Sequence, residues 1–104
     1  MKRIIFICFI AFIAFSCKKK ETDTAPPVIT IIGNNPENIQ LGTTYVDAGA
    51  TAFDEVDGDI SSSIVVSNFV DANIEGLYYV KYNVTDNAGN KAQEVRRTVQ
   101  VMQF

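Results

Sequence analysis

Two different hydrophobic patterns divide the chain. Residues 4–15 form an unbroken apolar run, whereas from residue 28 onward the apolar residues occur in short groups separated by Gly, Asn, Asp and Pro. The clearest group is residues 77–85, where every second position forms one apolar and aromatic set, Tyr78, Val80, Tyr82 and Val84. This period of two predicts a β-strand with one buried face and one solvent-facing face.

Five further segments have strand-type composition between turn residues, and no segment has a helical period. They are residues 28–32, 39–41, 50–53, 64–68 and 95–101. Six or seven short strands with local turns predict an all-β fold, a small immunoglobulin-like antiparallel β-sandwich of about seven strands. Tyr78 follows Gly76 at the start of the long strand. It is either a tyrosine corner of such a sandwich or an ordinary core tyrosine.

The last predicted strand carries one polar residue on its apolar face. Val95, Arg97, Val99 and Val101 share this face, whereas Ala92 has the opposite parity. The change of parity predicts a β-bulge near residues 93–94. We expect the Arg97 side chain either to extend to the rim of the sheet or to pair with an acidic residue.

The N-terminal segment has the features of an export signal. Lys2 and Arg3 precede the apolar run, which is shorter than the roughly 20 residues that a transmembrane helix requires. Ala14-Phe15-Ser16-Cys17 then resembles a bacterial lipobox, with a small residue before the cysteine. We expect Cys17 to become the lipid-bearing N-terminus, held in the membrane by its acyl chains. The alternative is an incidental thiol near a signal-peptidase site.

Three regions follow from this interpretation. Residues 1–16 are the lipoprotein signal peptide, residues 17–27 are the lipidated cysteine and a flexible tether, and residues 28–104 are the sandwich domain. The lysine-rich start of the tether is typical of lipoproteins of the Bacteroidetes. We therefore expect an exported protein, lipid-anchored to the cell envelope at the outer membrane. Whether it faces the periplasm or the cell surface is left open.

A short motif in the tether is a candidate modification site. Asp23-Thr24-Ala25 resembles the O-glycosylation acceptor of Bacteroidetes proteins. It makes Thr24 a candidate for glycosylation, and the alternative is an unmodified polar linker.

Charge and composition exclude several classes of function. From residue 28 onward, four basic residues stand against ten acidic ones, whereas a nucleic-acid-binding domain requires a basic face. The chain contains no histidine, and Cys17 is the only cysteine beyond the signal peptide. A serine nucleophile would therefore have no imidazole base. These observations predict a protein that is not an enzyme and does not bind nucleic acid.

An acidic loop is the one candidate metal site in the sequence. Asp54, Asp57 and Asp59 lie close together, and Asp86 would complete a calcium site if the fold brought it near. The spacing does not match the EF-hand loop, because Val56 stands where a ligand belongs. The favoured alternative is turn chemistry, in which these carboxylates accept backbone N–H groups. No cofactor is therefore expected, with calcium kept as the alternative.

Residues 26–101 resemble the immunoglobulin-like domain of bacterial surface proteins, a domain of unknown function that also occurs in an insecticidal crystal toxin. The matching residues are Pro26-Pro27-Val28-Ile29, Asn35-Pro36, Leu41-Gly42, Tyr45, Asp47, Gly49-Ala50-Thr51-Ala52, Asp54, Asp57-Gly58-Asp59-Ile60, Gly76-Leu77-Tyr78, Tyr82, Asp86-Asn87-Ala88-Gly89-Asn90, Arg97, Val99 and Val101. The resemblance implies an extracytoplasmic accessory or adhesive module and brings no catalytic residues with it.

Three functions are compatible with these features. The first is an envelope lipoprotein that presents one Ig-like domain for adhesion or protein–protein interaction. The second is an accessory lipoprotein that binds a glycan or another solute, for which Tyr45 and the outward-facing Tyr79 are the aromatic candidates. The third is a structural spacer in an envelope complex.

Overall fold

The structure, a computed structural model, describes residues 23–104. The predicted signal peptide, Cys17 and the first part of the tether lie outside these residues. The described chain forms seven strands and one short 3₁₀ turn, which confirms the predicted all-β fold. The strands are β1 (Val28–Ile31), β2 (Glu37–Gln40), β3 (Ala50–Asp54), β4 (Gly58–Asp59), β5 (Val65–Asn68), β6 (Gly76–Asn83) and β7 (Val95–Met102), and the 3₁₀ turn is Ser61–Ser63. Within this range, no helix combines the length and the apolar character needed to span a bilayer.

The strands form two sheets. One sheet has the order β1-β3-β4, and the other has the order β2-β7-β6-β5. Every pair is antiparallel except β2 with β7, which run parallel with Ile39 opposite Val101. The chain leaves the first sheet after β1 and joins the second sheet at its edge. A strand that arrives by such a crossing, rather than by a hairpin, is free to pair in parallel.

Two local features differ from or refine the sequence pattern. The sequence predicts only a turn at Gly58, but Gly58 pairs with Asp54 and forms the short strand β4. Between the pairs Tyr82–Val95 and Thr85–Lys91, the later strand contains one more residue than its partner. This extra residue is the β-bulge that the change of parity predicts.

The core is formed by the inward faces of β6 and β7. Val80 and Tyr82 of β6 and Val99 of β7 form one buried cluster with Ile29 and Ala52 of the opposite sheet. Full burial of an aliphatic or aromatic side chain stabilises the fold by roughly 1.5–3 kcal/mol. Buried and less buried residues alternate along both β6 and β7, which confirms the predicted pattern.

Tyr78 forms a tyrosine corner. Its hydroxyl donates a hydrogen bond to the main-chain oxygen of Ile74, four residues upstream, at 2.7 Å. This is the contact by which a tyrosine near the start of a strand fixes the preceding loop in immunoglobulin sandwiches.

Arg97 is buried among the core residues of β7, with 1% of its surface exposed. Its Nε lies 2.9 Å from Oδ1 of Asp47, the only ion pair among residues 23–104. Its Nη2 donates to the main-chain oxygens of Ile32 at 2.7 Å and Gly49 at 2.9 Å, and Nη1 donates to that of Asn34. Of the two sequence expectations, pairing with an acid is confirmed and extension to the rim is wrong.

The strand directions define two ends of the sandwich. The end that we call the tether end contains the start of β1, the end of β3 and the loop between β6 and β7, and the Asn90 side chain donates to the main-chain oxygen of Asp23 here. The opposite end, called the far end, contains the end of β7 and residues 69–75. There, N–H groups of Leu41 and Gly42 donate to the oxygens of Met102 and Ala72.

Candidate functional site

Three carboxylates meet at the tether end. Asp54 is the last residue of β3, Asp86 begins the turn after β6, and Asp23 precedes β1. One oxygen of each lies within 4.8 Å of the others. We call these three residues the acidic cluster.

The register of the first sheet explains why the cluster forms. Val28 at the start of β1 pairs with Phe53 near the end of β3. Because the two strands are antiparallel, residues just before Val28 lie beside residues just after Phe53. Asp54 also has the parity of the buried Ala52, so its side chain points inward and is 0% exposed.

Asp54 uses one carboxylate oxygen to shape its loop. Its Oδ2 accepts the N–H groups of Val56 at 3.0 Å and Asp57 at 2.9 Å, which is the predicted turn chemistry. Its Oδ1 is buried and has no hydrogen-bond partner in the described part of the chain.

Asn90 connects the other two members of the cluster. Oδ1 of Asp86 accepts the Asn90 N–H at 2.8 Å, and Oδ2 accepts Asn90 Nδ2 at 3.0 Å. The same Nδ2 donates to the main-chain oxygen of Asp23 at 2.8 Å. Oδ1 of Asp23 accepts the N–H of Ala25, whereas its Oδ2 is buried without a partner among the described residues.

The cluster is electrostatically unbalanced. Within residues 23–104, no lysine or arginine nitrogen lies within ion-pair distance of these carboxylates. Burial and the proximity of the Asp86 and Asp54 carboxylates together raise the pKa of Asp23. Burial alone would raise the pKa of Asp86 as well, but the hydrogen bonds from Asn90 outweigh it and lower that pKa.

The structure brings together two of the four aspartates that the sequence proposed for calcium. Asp54 and Asp86 meet, whereas Oδ2 of Asp57 accepts the Asn87 N–H at 2.8 Å. Oδ1 of Asp59 accepts the N–H and the hydroxyl of Ser61. The third member of the cluster is Asp23, which sequence analysis assigned only to the tether.

A signal for Asp23 was nevertheless present in the sequence. It lies only five positions before Val28, which limits how far it can be from the start of the first strand. Pairing that strand antiparallel with residues 50–53 would have placed it next to Asp54. The pairing itself, however, joins segments that are far apart in sequence.

The other candidate site residues lie apart from the cluster. The Tyr45 hydroxyl donates to Asp47, so this ring belongs to the buried network around Arg97. Tyr79 is exposed on the outer face of the larger sheet, and the Arg96 guanidinium carbon lies 4.1 Å from the centroid of its ring. Thr24 is exposed, and Cys17 lies outside the described residues.

Comparison with known proteins gives a consistent result. The family described as "Bacterial surface protein, Ig-like domain" matches residues 29–101. The pesticidal crystal protein Cry22Aa of Bacillus thuringiensis is 36% identical over 81 residues, which are 72% of this chain and 11% of Cry22Aa.

Solved structures show the same similarity. Lipoprotein BT2262 from Bacteroides thetaiotaomicron superimposes with a TM-score of 0.62 at 27% identity, covering 74% of this chain and 38% of that one. A structure of ZmpB from Clostridium perfringens, with CBM51-2 in complex with GlcNAc and INT domains, gives 0.59 at 28% identity, covering 75% and 17%. A second ZmpB structure, with the M60 catalytic domain, CBM51-1 and CBM51-2, gives 0.58 at 28% identity, covering 75% and 8%.

The chain thus spans less than two fifths of each of these relatives. A surface-protein family and a lipoprotein neighbour indicate a location in the cell envelope. The family match covers nearly the whole sandwich and includes Asp54 and Asp86 of the acidic cluster but not Asp23. The chain belongs to the Ig-like domain family of bacterial surface proteins.

Proposed function

We propose that this protein is a non-catalytic lipoprotein of the cell envelope, anchored through Cys17, that presents its Ig-like domain for adhesion or protein–protein interaction. The outer membrane is the proposed location. The observation that supports the proposal is a group of three exposed apolar side chains at the end of the domain opposite the point where the tether enters it.

The tether and three of the exposed apolar residues lie at opposite ends of the domain. Asp23 contacts Asn90 at the tether end. At the far end, Phe69 is 81% exposed, Ile74 58% and Leu77 59%. A domain held to a membrane by its tether end would present these three residues away from the membrane.

Single exposed apolar residues are common on folded proteins. Here, however, three of them fall within one loop and the start of the strand that follows it. Aromatic side chains such as Phe69 are enriched at protein interfaces, and a surrounding apolar patch helps to exclude water from them. The far end is therefore the proposed contact surface.

Site-specific photo-cross-linking in intact cells tests this surface. A photoreactive residue at position 69 should form a discrete adduct, and the adduct should disappear when Ile74→Ser and Leu77→Ser are added. Position 28 at the tether end is the matched control, because Val28 is also an exposed apolar residue. Equal labelling at both positions, or no adduct at position 69, would contradict the proposal.

The anchor is tested separately. Mass spectrometry of the envelope fraction should find acyl chains on Cys17, and Cys17→Ser should release the protein from the membrane. Protease treatment of intact cells then distinguishes the surface from the periplasm. The same spectra test the candidate glycan, which Thr24→Ala should remove.

A glycan-binding role is the second candidate. It is supported by the similarity to a ZmpB chain that contains a GlcNAc complex and by the exposed Tyr79 with Arg96 stacked on its ring. A glycan array should then show binding that Tyr79→Ala abolishes and Leu77→Ala preserves. A chain that neither cross-links nor binds a glycan would be a structural spacer.

A further inference from the structure

We propose that the acidic cluster binds a calcium ion, which joins Asp23 of the tether to the loops that carry Asp54 and Asp86. This site is independent of the proposed function, because it depends only on residues that the structure places together.

Two buried oxygens carry the argument. Oδ1 of Asp54 and Oδ2 of Asp23 are both shielded from solvent, and neither has a hydrogen-bond partner among residues 23–104. Asp54 is wholly buried. A buried carboxylate is costly unless it is paired with a cation, accepts hydrogen bonds or binds a metal. Among the described residues, these two oxygens neither pair with a cationic side chain nor accept a hydrogen bond.

The other carboxylate oxygens of the cluster accept hydrogen bonds that orient the side chains but leave these two oxygens without a partner in the described part of the chain. The Asp54 oxygen that does accept hydrogen bonds is turned toward Val56 and Asp57, which leaves Oδ1 directed at the cluster. Asn90 fixes Asp86 in the same way from the other side. The carboxylates are therefore held in place before any ion binds.

Calcium fits this donor set. It takes six to eight oxygen ligands at about 2.3–2.6 Å, so two oxygens on one ion lie at most about 5 Å apart. The cluster oxygens lie within 4.8 Å of one another. Each carboxylate places one oxygen at this spacing, and water can complete the shell. The chain has no histidine, the side chain that would favour zinc or copper.

The position of Asp23 gives the ion a structural consequence. Asp54 and Asp86 belong to the folded domain, whereas Asp23 precedes the first strand. A shared ion therefore fixes the direction in which the tether leaves the sandwich. Calcium would make the orientation of the domain relative to its tether dependent on the divalent cation concentration.

Thermal unfolding of the full chain in detergent tests the site. The melting temperature is measured in chelator and with up to 10 mM calcium chloride, at constant ionic strength. An extracellular module of this type binds at about 10⁻⁴ to 10⁻³ M, so the melting temperature should rise by about 5–15 °C. Magnesium should have a smaller effect, because it requires stricter octahedral geometry.

Three variants distinguish binding at the cluster from a general salt effect. Asp23→Asn and Asp54→Asn should each abolish most of the calcium-dependent shift. Asp71→Asn is the matched control, because Asp71 also caps a turn through the Asn73 N–H but lies at the far end. It should retain the full shift. Asp23 lies outside the strands, so its variant remains informative even if Asp54→Asn fails to fold.

Hydrogen exchange gives a second measurement at the tether. The Ala25 amide donates to Asp23, and its exchange should slow several-fold in calcium in the parent chain but not in Asp23→Asn. The proposal is overturned if calcium leaves the melting temperature unchanged. It is equally overturned if magnesium matches calcium or if the Asp23 and Asp54 variants keep the parent shift. None of these outcomes bears on the far-end surface, which the cross-linking experiment tests.

Discussion

Arg97 and Asp47 form a buried ion pair, with Nε of Arg97 2.9 Å from Oδ1 of Asp47. The two residues belong to different parts of the chain, and the guanidinium also binds main-chain oxygens of Ile32 and Gly49. A buried pair is tolerated when its remaining donors and acceptors are satisfied. Here the pair holds the connections before β2 and β3 against the core strand β7.

Arg97→Lys should destabilise the domain by about 2–4 kcal/mol, because an ammonium group cannot reproduce the fork of donors that binds Asp47 and the carbonyls. The adjacent Arg96→Lys is the matched control. Arg96 is exposed and contacts the Tyr79 ring, so its substitution should cost less than about 0.5 kcal/mol. Urea unfolding of both variants measures the difference, and similar midpoints would contradict the structural role of Arg97.

Asp47 should make the stability of the domain depend on pH. Burial alone would raise the pKa of its carboxyl, but hydrogen bonds from Tyr45, Tyr82 and the Gly49 amide, with the charge of Arg97, lower that pKa below the usual range of an aspartate. The folded state therefore binds this proton more weakly than the unfolded state. The stabilisation is complete well above pH 4 and is lost as the pH falls through the folded-state pKa.

This pH dependence is measured by urea unfolding between pH 3 and pH 7. The stability of the parent chain should fall at the acid end. Asp47→Asn should be less stable at pH 7 and should lose less stability on acidification. A variant that keeps the full acid dependence of the parent would show that Asp47 does not contribute to it.

Gly33→Ala should cost about 2–3 kcal/mol. Gly33 has a φ of +83°, and an added Cβ would lie 3.3 Å from the Cβ of Ala48. Backbone strain and a steric contact therefore act together. Gly89→Ala separates the two effects, because Gly89 has a φ of +91° with no atom within 4 Å of the added Cβ. It should cost about 1 kcal/mol by denaturant unfolding, and equal losses would exclude a contribution from Ala48.

Tyr78→Phe should destabilise the domain by about 1 kcal/mol, since it removes the hydrogen bond from the hydroxyl to the Ile74 oxygen while keeping the ring. Tyr79→Phe is the control on the next residue, whose ring lies on the solvent side of the sheet. Its unfolding midpoint should be close to that of the parent chain. If both variants lose the same stability, the tyrosine corner contributes nothing specific.

The strands were predictable because their signal is local. Alternate residues of β6 and β7 lie on opposite faces of a strand whatever the rest of the fold does, so Val80, Tyr82 and Val99 could be assigned to the core from spacing alone. The bulge before β7 followed from the same parity. The parallel pairing of β2 with β7 could not be predicted in this way, because it depends on where the chain crosses between the sheets.

The candidate site was only partly predictable, for a related reason. The sequence identified Asp54 and Asp86 as candidate calcium ligands, because they lie in an acidic loop and in a turn. The sequence identified Asp57 and Asp59 equally well as calcium ligands, but in the structure their carboxylates accept hydrogen bonds from the Asn87 amide and from Ser61. Which oxygens remain without a partner depends on how three separate segments meet.

By itself, the sequence determined the features that depend on residues close together along the chain. These are the strands, their inward faces, the bulge and the class of fold. The tertiary structure alone decided which distant groups share a buried space. It placed Arg97 on Asp47, since a buried charge requires a partner wherever the fold supplies one. It also placed Asp23 beside Asp54 and Asp86, because antiparallel pairing brings the start of one strand to the end of another.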